Sequence, residues 1–354
     1  MRLLQLLRPL CLAAACLSAA LAQAAGFATI EIPADREGPA IRGGVWTPCA
    51  APAGEIRLGP STIQAVRDCP FPPGNAPLPL IVISHGYGGS FLGHHDTAQA
   101  LADAGFIVAA ISHSDDNFRI RGGPDDKISA LATRTTDIKR LIDHMLQRWP
   151  SHDRIAADRI GFYGFSRGGY TGLVLAGAKP NFERLPPLPS SPCAKAPESE
   201  ECGSMKQRFR QLLATPLAHD ARIKAAVIAD PLSTLFDAEG LRNVRIPIAL
   251  WASAYGGDGV TPESVDAVRR NLPVAPEWHV AGKAGHFGFL APCSSEQIQA
   301  KSEICRDASG FDRIAFHEAF NAEVTAFFGS ALGPRGSGFA AVATPPGKRA
   351  ASTQ

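Results

Sequence analysis

Near the middle of the chain, Gly164-Phe165-Ser166-Arg167-Gly168 follows the apolar run Ile160 to Tyr163 and leads into a segment of small residues. A serine between two glycines at a strand-to-helix junction has the makings of a nucleophile. The tight turn exposes its hydroxyl, the glycines relieve crowding, and the helix start adds positive partial charge near a developing oxyanion. A hydroxyl attacks only if a base takes its proton. His286, in Ala284-Gly285-His286-Phe287-Gly288-Phe289, follows the last strand candidate on a glycine-flanked loop and is the expected base. Of the other histidines, His113 comes too early in the chain. His94, His95, His144, His152 and His317 fall on or beside helical segments, His219 lies in a polar stretch, and His279 lies inside a strand. His85-Gly86-Tyr87-Gly88-Gly89 follows the apolar run ending at Ser84, so the backbone N–H groups of Tyr87 and Arg167 are the expected oxyanion donors, with His85 bracing the loop. A carboxylate must orient the base. Asp258, in Asp258-Gly259-Val260-Thr261-Pro262, is the preferred acid; Asp230, in Ile228-Ala229-Asp230-Pro231, is the alternative.

The elements that must position these residues are legible as short apolar runs alternating with longer helix-period segments, the mark of a mostly parallel α/β sheet. Strands are expected at Leu80 to Ser84, Phe106 to Ile111, Ile160 to Tyr163, Ile223 to Ala229, Ile246 to Ala252 and Glu277 to Val280. Ile128, Leu131, Ile138, Leu141, Ile142 and Met145 recur at helical spacing, which predicts an amphipathic helix from Asp126 to Gln147 with a solvated polar face. Further helices are expected from just after Ser166 to about Ala178, after Pro262, and from Phe311 to Phe328. Lys179 to Asp220, rich in Pro, Ser and charge, breaks the alternation and is expected to be an inserted lid. No internal repeat is visible.

The domain expected to carry these elements spans 25–332. Before it, Arg2 and Arg8, a Leu- and Ala-rich run, and Ala22-Gln23-Ala24 read as a secretory signal over 1–24. The run from Pro9 to Ala22 is shorter than the roughly 20 residues a spanning helix needs. Cys16, after Ala13-Ala14-Ala15, lacks the larger aliphatic residue of a lipobox, so a lipoprotein is the lesser alternative to a periplasmic or secreted protein. After the domain, 333–354 reads as a flexible tail. The 35 basic and 33 acidic side chains become equal in number once Arg2 and Arg8 are gone, and no basic run occurs outside Gly347-Lys348-Arg349, which argues against nucleic acid. Of eight cysteines, six remain beyond the signal. Cys49 with Cys69, Cys193 with Cys202 and Cys293 with Cys305 each bracket a short polar stretch, so sequential disulfides are expected. Metal binding is not expected: His94-His95-Asp96 are adjacent on a helical segment and point in different directions.

Val45-Trp46-Thr47-Pro48, HGYGG, GFSRGG, GDGVTPE and GHFGFLAPC together resemble the bacterial dienelactone-hydrolase-like and platelet-activating-factor-acetylhydrolase-like branch of the α/β-hydrolases, over about Gly26 to Leu332. The resemblance implies the α/β-hydrolase fold and cofactor-free cleavage of small carboxylic esters through an acyl-enzyme. Dienelactone hydrolases use cysteine where Ser166 stands, so their substrate is not implied. Hydrolases of this fold usually place the acid where Asp258 lies, whereas the acetylhydrolase branch places it where Asp230 lies. Amide or peptide cleavage, polyester degradation and acyl transfer could use the same residues, and a non-catalytic binding protein is the remaining alternative. Neither the natural substrate nor the oligomeric state is written in the sequence.

Overall fold

Val, Ile and Ala crowd the short runs expected to be strands, and in the computed structural model all six lie in one sheet. The structure describes residues 24–59, 61–119, 126–184, 192–213, 216–300 and 302–333; the expected signal and tail lie almost wholly outside them. The strands are β1 (Ala24–Ile32), β2 (Ile41–Cys49), β3 (Gly54–Leu58), β4 (Ser61–Arg67), β5 (Leu78–Ser84), β6 (Ile107–Ile111), β7 (Ile155–Phe165), β8 (Ile223–Ala229), β9 (Ile248–Ser253) and β10 (Glu277–Ala281). Their order is β10-β9-β8-β7-β5-β6-β2-β1-β4-β3. Every neighbouring pair from β10 to β6 is parallel. Such strands are buried on both faces, which is why they read as continuous apolar runs. By contrast β2 runs antiparallel to β6 and β1, and β3 with β4 forms an antiparallel hairpin. This four-stranded extension was not expected; in β4 only Ile63 and Ala65 are buried, on either side of the exposed Gln64, and so short an alternation carries little signal.

The helices are α1 (His95–Asp103), α2 (Asp126–Gln147), α3 (Arg167–Leu175), α4 (Pro192–Lys195), α5 (Glu200–Leu213), α6 (Ala238–Leu241), α7 (Pro262–Asn271), α8 (Ser295–Gln299) and α9 (Arg313–Leu332). Alternation along the strands divides the core in two. Leu80, Val82 and Ile228 face Leu131, Ile138, Leu141, Val174 and Val265 of α2, α3 and α7. Ile81, Ile83 and Val227 face Leu101, Phe320, Val324 and Phe328 of α1 and α9. The result is a three-layer α/β/α domain, the α/β-hydrolase architecture. α7 begins with Pro262 behind a Thr261–Ser264 capping box, as the fixed φ of proline favours.

Two expectations need correction. The polar face of α2 is only partly solvated: Lys139, Asp143 and Gln147 reach water, but Arg134, Thr135, Asp137 and Arg140 are buried beneath the loops that leave the sheet. Helical periodicity finds the apolar stripe but cannot tell water from a polar loop above the other face. The described residues of 179–220 are also not over the carboxyl edge of the sheet. Asp220 N–H bonds Leu175 O at the far end of α3, Lys179 N–H bonds Gly240 O, and α5 packs against α2. Phe182 of this segment packs against Tyr170 of α3 with ring centroids 6.2 Å apart. The three cysteine pairs are bonded as expected: Cys49–Cys69, Cys193–Cys202 and Cys293–Cys305.

Candidate active site

Ser166 sits between β7 and α3 with φ 56° and ψ −117°, a conformation costing of order 1–3 kcal/mol in a non-glycine residue. Backbone bonds hold it there: its N–H donates to Ala229 O, and its carbonyl accepts from Tyr170 and Leu232. The flanking glycines are required by close approach. A Cβ on Gly168 would lie 1.9 Å from Ser84 O, and one on Gly164 would lie 2.3 Å from Gly168 O.

Against Phe165 of this turn, His286 is buried with its Nδ1 2.7 Å from Asp230 Oδ2. An ionised carboxylate only accepts, so Nδ1 carries the proton and Nε2 presents its lone pair. That Nε2 is buried and has no hydrogen-bond partner among the described residues. Catalytic hydrogen bonds commonly close only when substrate is bound. Asp230, at the end of β8, also accepts from Ser253 N–H at 2.8 Å and Ser253 Oγ–H at 2.7 Å. The preference for Asp258 as partner of the histidine is therefore corrected. Asp258 is exposed on the turn after β9 with φ 47°, and it lines the cleft without touching His286. Chain order could not separate two aspartates that each follow a strand; Ser253, which fixes Asp230 from the next strand, could.

The loop after β5 carries the expected donor Tyr87, whose ring lies 4.3 Å from the Arg167 guanidinium. His85 braces this loop as expected: its Nδ1–H donates to Gly86 O at 2.6 Å and its Nε2 accepts from His113 N–H at 3.1 Å. Burial, followed by the nearby Arg134 charge, holds its pKa well below that of a free imidazole, so it stays neutral. Sequence reasoning missed the group beneath the loop. Asp116 accepts from Gly88 N–H at 2.7 Å, Arg134 Nη1 at 2.7 Å and Arg167 Nη1 at 3.2 Å. Arg134 donates further to Ser84 Oγ, His85 O and Thr171 Oγ1. Its only sequence signal was a charged residue in the middle of an otherwise well-patterned helix.

Ser166, His286 and Tyr87 open onto a cleft of about 1100 Å³. It lies outside the carboxyl ends of the strands, where open α/β sheets bind ligands. Phe91, Leu92, Phe118, Phe287, Leu290 and Ile304 make its walls largely apolar. Its rim comes from the β3–β4 hairpin and the loop closed by Cys293–Cys305, joined by an Arg57–Glu296 pair at 3.1 Å; no described residue of 179–220 lines it. The His94-His95-Asp96 run serves packing: Asp96 Oδ2 accepts from His317 Nδ1 at 2.6 Å and Asn321 Nδ2 at 2.9 Å, tying α1 to α9. Among the described residues no group of His, Cys, Asp and Glu is arranged to hold a metal ion.

Residues 47–135 match the family described as platelet-activating factor acetylhydrolase, isoform II, a segment that includes Tyr87, Asp116 and Arg134. No curated protein matches the chain by sequence. Among solved structures, a ferulic acid esterase from Streptomyces cinnamoneus is similar over 93% of this chain and 95% of its own, with TM-score 0.60 and 18% identity. A Pyrococcus furiosus esterase matches over 87% and 93% of the two chains with TM-score 0.48 and 12% identity. A dienelactone hydrolase from Anabaena variabilis matches over 87% and 99%, also with TM-score 0.48 and 12% identity. The chain has the α/β-hydrolase fold, and it is similar over residues 47–135 to the platelet-activating factor acetylhydrolase family.

Proposed function

We propose that this protein is an exported serine esterase, with Ser166 as nucleophile, His286 as general base and Asp230 as the acid that orients it. The observation that carries the reading is the buried His286 Nδ1 to Asp230 bond at 2.7 Å, which leaves Nε2 without a partner on a histidine that lines the same cleft as Ser166. Nε2 takes the Ser166 proton as Oγ attacks the ester carbonyl. The N–H groups of Tyr87 and Arg167 hold the oxyanion, and Asp230 stabilises the imidazolium. Collapse expels the alcohol, which takes the proton from Nε2. Water, deprotonated in turn by His286, attacks the acyl-enzyme and releases the acid and Ser166. No cofactor enters these steps.

The substrate is a small-molecule ester with a bulky apolar part, because the cleft is larger than a short acyl chain requires and its walls are mostly aliphatic and aromatic. The similar Streptomyces enzyme is named for ferulic acid esters, a bulky aromatic class consistent with this cleft. Export is supported by the signal-like N-terminus and by three disulfides, which persist in oxidising compartments. Among the described residues no helix is long and apolar enough to cross a membrane.

The test is hydrolysis of p-nitrophenyl esters of graded acyl size, beside matched anilides, by the mature protein and Ser166→Ala. Turnover that rises with acyl bulk and drops roughly 10⁴-fold or more in Ser166→Ala is expected. Full activity in Ser166→Ala overturns the assignment; faster anilide than ester cleavage makes the protein an amidase.

A further inference from the structure

We infer that Asp116 is a positioning residue that holds the two halves of the oxyanion hole in register, by bridging the loop that carries Tyr87 to the turn that carries Arg167. The inference rests on the reading of Ser166 as nucleophile. An oxyanion hole built from two backbone N–H groups on separate elements works only if those elements stay in register, and a displacement of about 1 Å can cost 10²-fold in rate. Here the donors sit after β5 and at the start of α3, while Asp116 follows β6 and belongs to neither.

Its two oxygens divide the task. Oδ1 accepts from the N–H of Gly88, the residue after Tyr87, at 2.7 Å. Oδ2 accepts from the side chain of Arg167, the residue after Ser166, at 3.2 Å, and from Arg134 at 2.7 Å. Arg134 extends the bridge on both sides, to His85 O at the root of the loop and to Thr171 Oγ1 on α3.

The charge balance suits the task. One carboxylate lies between two guanidiniums, so the cluster beneath the loop carries one net positive charge and does not oppose a developing oxyanion. Burial works to raise the Asp116 pKa, but Arg134, Arg167 and the Gly88 N–H outweigh it and hold the group down to about 2. Arg134, lowered to about 10 mainly by burial, also stays charged at neutral pH. Burying ions costs several kcal/mol each, and an apolar cluster would stabilise the fold as well or better, so stability alone does not explain a fully buried arginine here.

The test compares wild type with Asp116→Asn and Arg167→Met. An asparagine amide can accept on one side only, so Asp116→Asn turns an N–H toward either Gly88 or the guanidiniums. Arg167→Met removes the α3 half of the bridge from a side chain that is only partly buried. For each protein, active sites are counted by labelling with a p-nitrophenyl phosphonate, and kcat, KM, the labelling rate constant and the melting temperature are measured. Expected is a kcat per titrated site lower by roughly 10- to 100-fold in Asp116→Asn and by about 3- to 10-fold in Arg167→Met, less than deletion of a donor costs. KM should stay within about twofold, and labelling should slow in parallel, because the P=O oxygen uses the same hole. Normal kcat per titrated site, with only fewer sites or a lower melting temperature, marks a merely structural role and overturns the inference. So does a change confined to KM. Should Asp116→Asn not fold, Arg167→Met decides by the same criteria. A wild type that neither turns over nor labels overturns the nucleophile reading, and this inference with it; active wild type with normal variants overturns this inference alone.

Discussion

The molecule holds two Ser-His-Asp trios on opposite sides of β5 and β7. In one, His286 Nδ1 meets Asp230 at 2.7 Å, and Asp230 is held by the N–H and hydroxyl of Ser253. In the other, Ser84 Oγ meets His113 Nε2 at 2.8 Å and His113 Nδ1 meets Asp137 at 3.1 Å, with Asp137 held by the N–H and hydroxyl of Ser114. Residue types and the His–Asp contacts barely separate them, although His113 Nε2 is bonded to Ser84 while His286 Nε2 has no hydrogen-bond partner among the described residues. Their surroundings do: Ser84 lies at the end of an extended strand, accepts a further bond from Arg134 at 3.1 Å, and does not line the cleft. His113 has both ring nitrogens engaged, and burial, then the Arg134 charge, holds its pKa far below that of a free imidazole. A base that cannot become imidazolium cannot take a proton from serine. On the proposed reading, what sets the first trio apart is a strained serine that lines the cleft and an imidazole nitrogen left without a partner, while the same three residue types, fully bonded, hold loops in place.

The strongest way to break this comparison is to remove each acid in turn. Asp230→Asn should lower kcat by roughly 10³- to 10⁴-fold with little change in KM, because the histidine loses its tautomer and its counter-charge. Asp137→Asn should instead cost about 1–3 kcal/mol of stability, read from a denaturant titration, with kcat per active site reduced less than tenfold. Asp258→Asn, on its exposed turn, should leave kcat within about twofold. If Asp137→Asn proved the more damaging to kcat, the two trios would have to exchange roles.

How much of this was legible follows the same divide. The parallel strands announced themselves because burial on both faces makes them uniformly apolar, and Ser166, His286 and the HGYGG loop because glycines must crowd around them. A Gly168 forced against Ser84 O leaves a mark in sequence; an Asp230 chosen over Asp258 does not, because the choice depends on Ser253 reaching across from β9. Arg134, Asp137 and Arg140 were read as a wet helix face for a related reason. What covers them is loops from β5, β6 and the N-terminal extension, and no local pattern in α2 records a cover from residues 18 to 107 positions away.

A smaller effect sharpens the electrostatic side of the comparison. His85, His94 and His113 are kept neutral chiefly by burial, His94 at about 4 and the other two also well below 6.5. A histidine lowered in the folded state contributes stability present above its unfolded pKa and lost as pH falls below it. Asp103 and Asp137, both raised to about 6 by burial, have the opposite sign: their contributions are lost as pH rises through about 6. The three histidines, joined by His95, which burial also lowers, outnumber the two acids, so the melting temperature should fall as pH drops from about 6.5 toward 4.5, with a shallower fall in His113→Gln. The imidazole resonance of His113 should not titrate around the 6.5 of a free imidazole, and a midpoint there would show that the second trio can carry charge after all.

The smallest expected effect tests access itself. If exposure to the cleft is what separates Ser166 from Ser84, then loosening the rim should act on Ser166 chemistry through substrate binding alone. Cys293 lines the cleft and Cys305 closes its loop, while Cys193–Cys202 lies in the segment packed toward the far end of α3. Replacing Cys293 and Cys305 together by serine should raise KM for a bulky ester about three- to tenfold and leave kcat within about twofold, because the wall moves but His286, Asp230 and the oxyanion donors do not. The exposed Arg57–Glu296 pair, worth no more than about 1 kcal/mol, is too weak to hold that wall unaided. The same replacement at Cys193 and Cys202 should lower stability by about 2–4 kcal/mol and leave KM unchanged. Equal shifts in KM from both pairs would mean that the disulfides act through global stability, and that the rim does not govern which serine the substrate reaches.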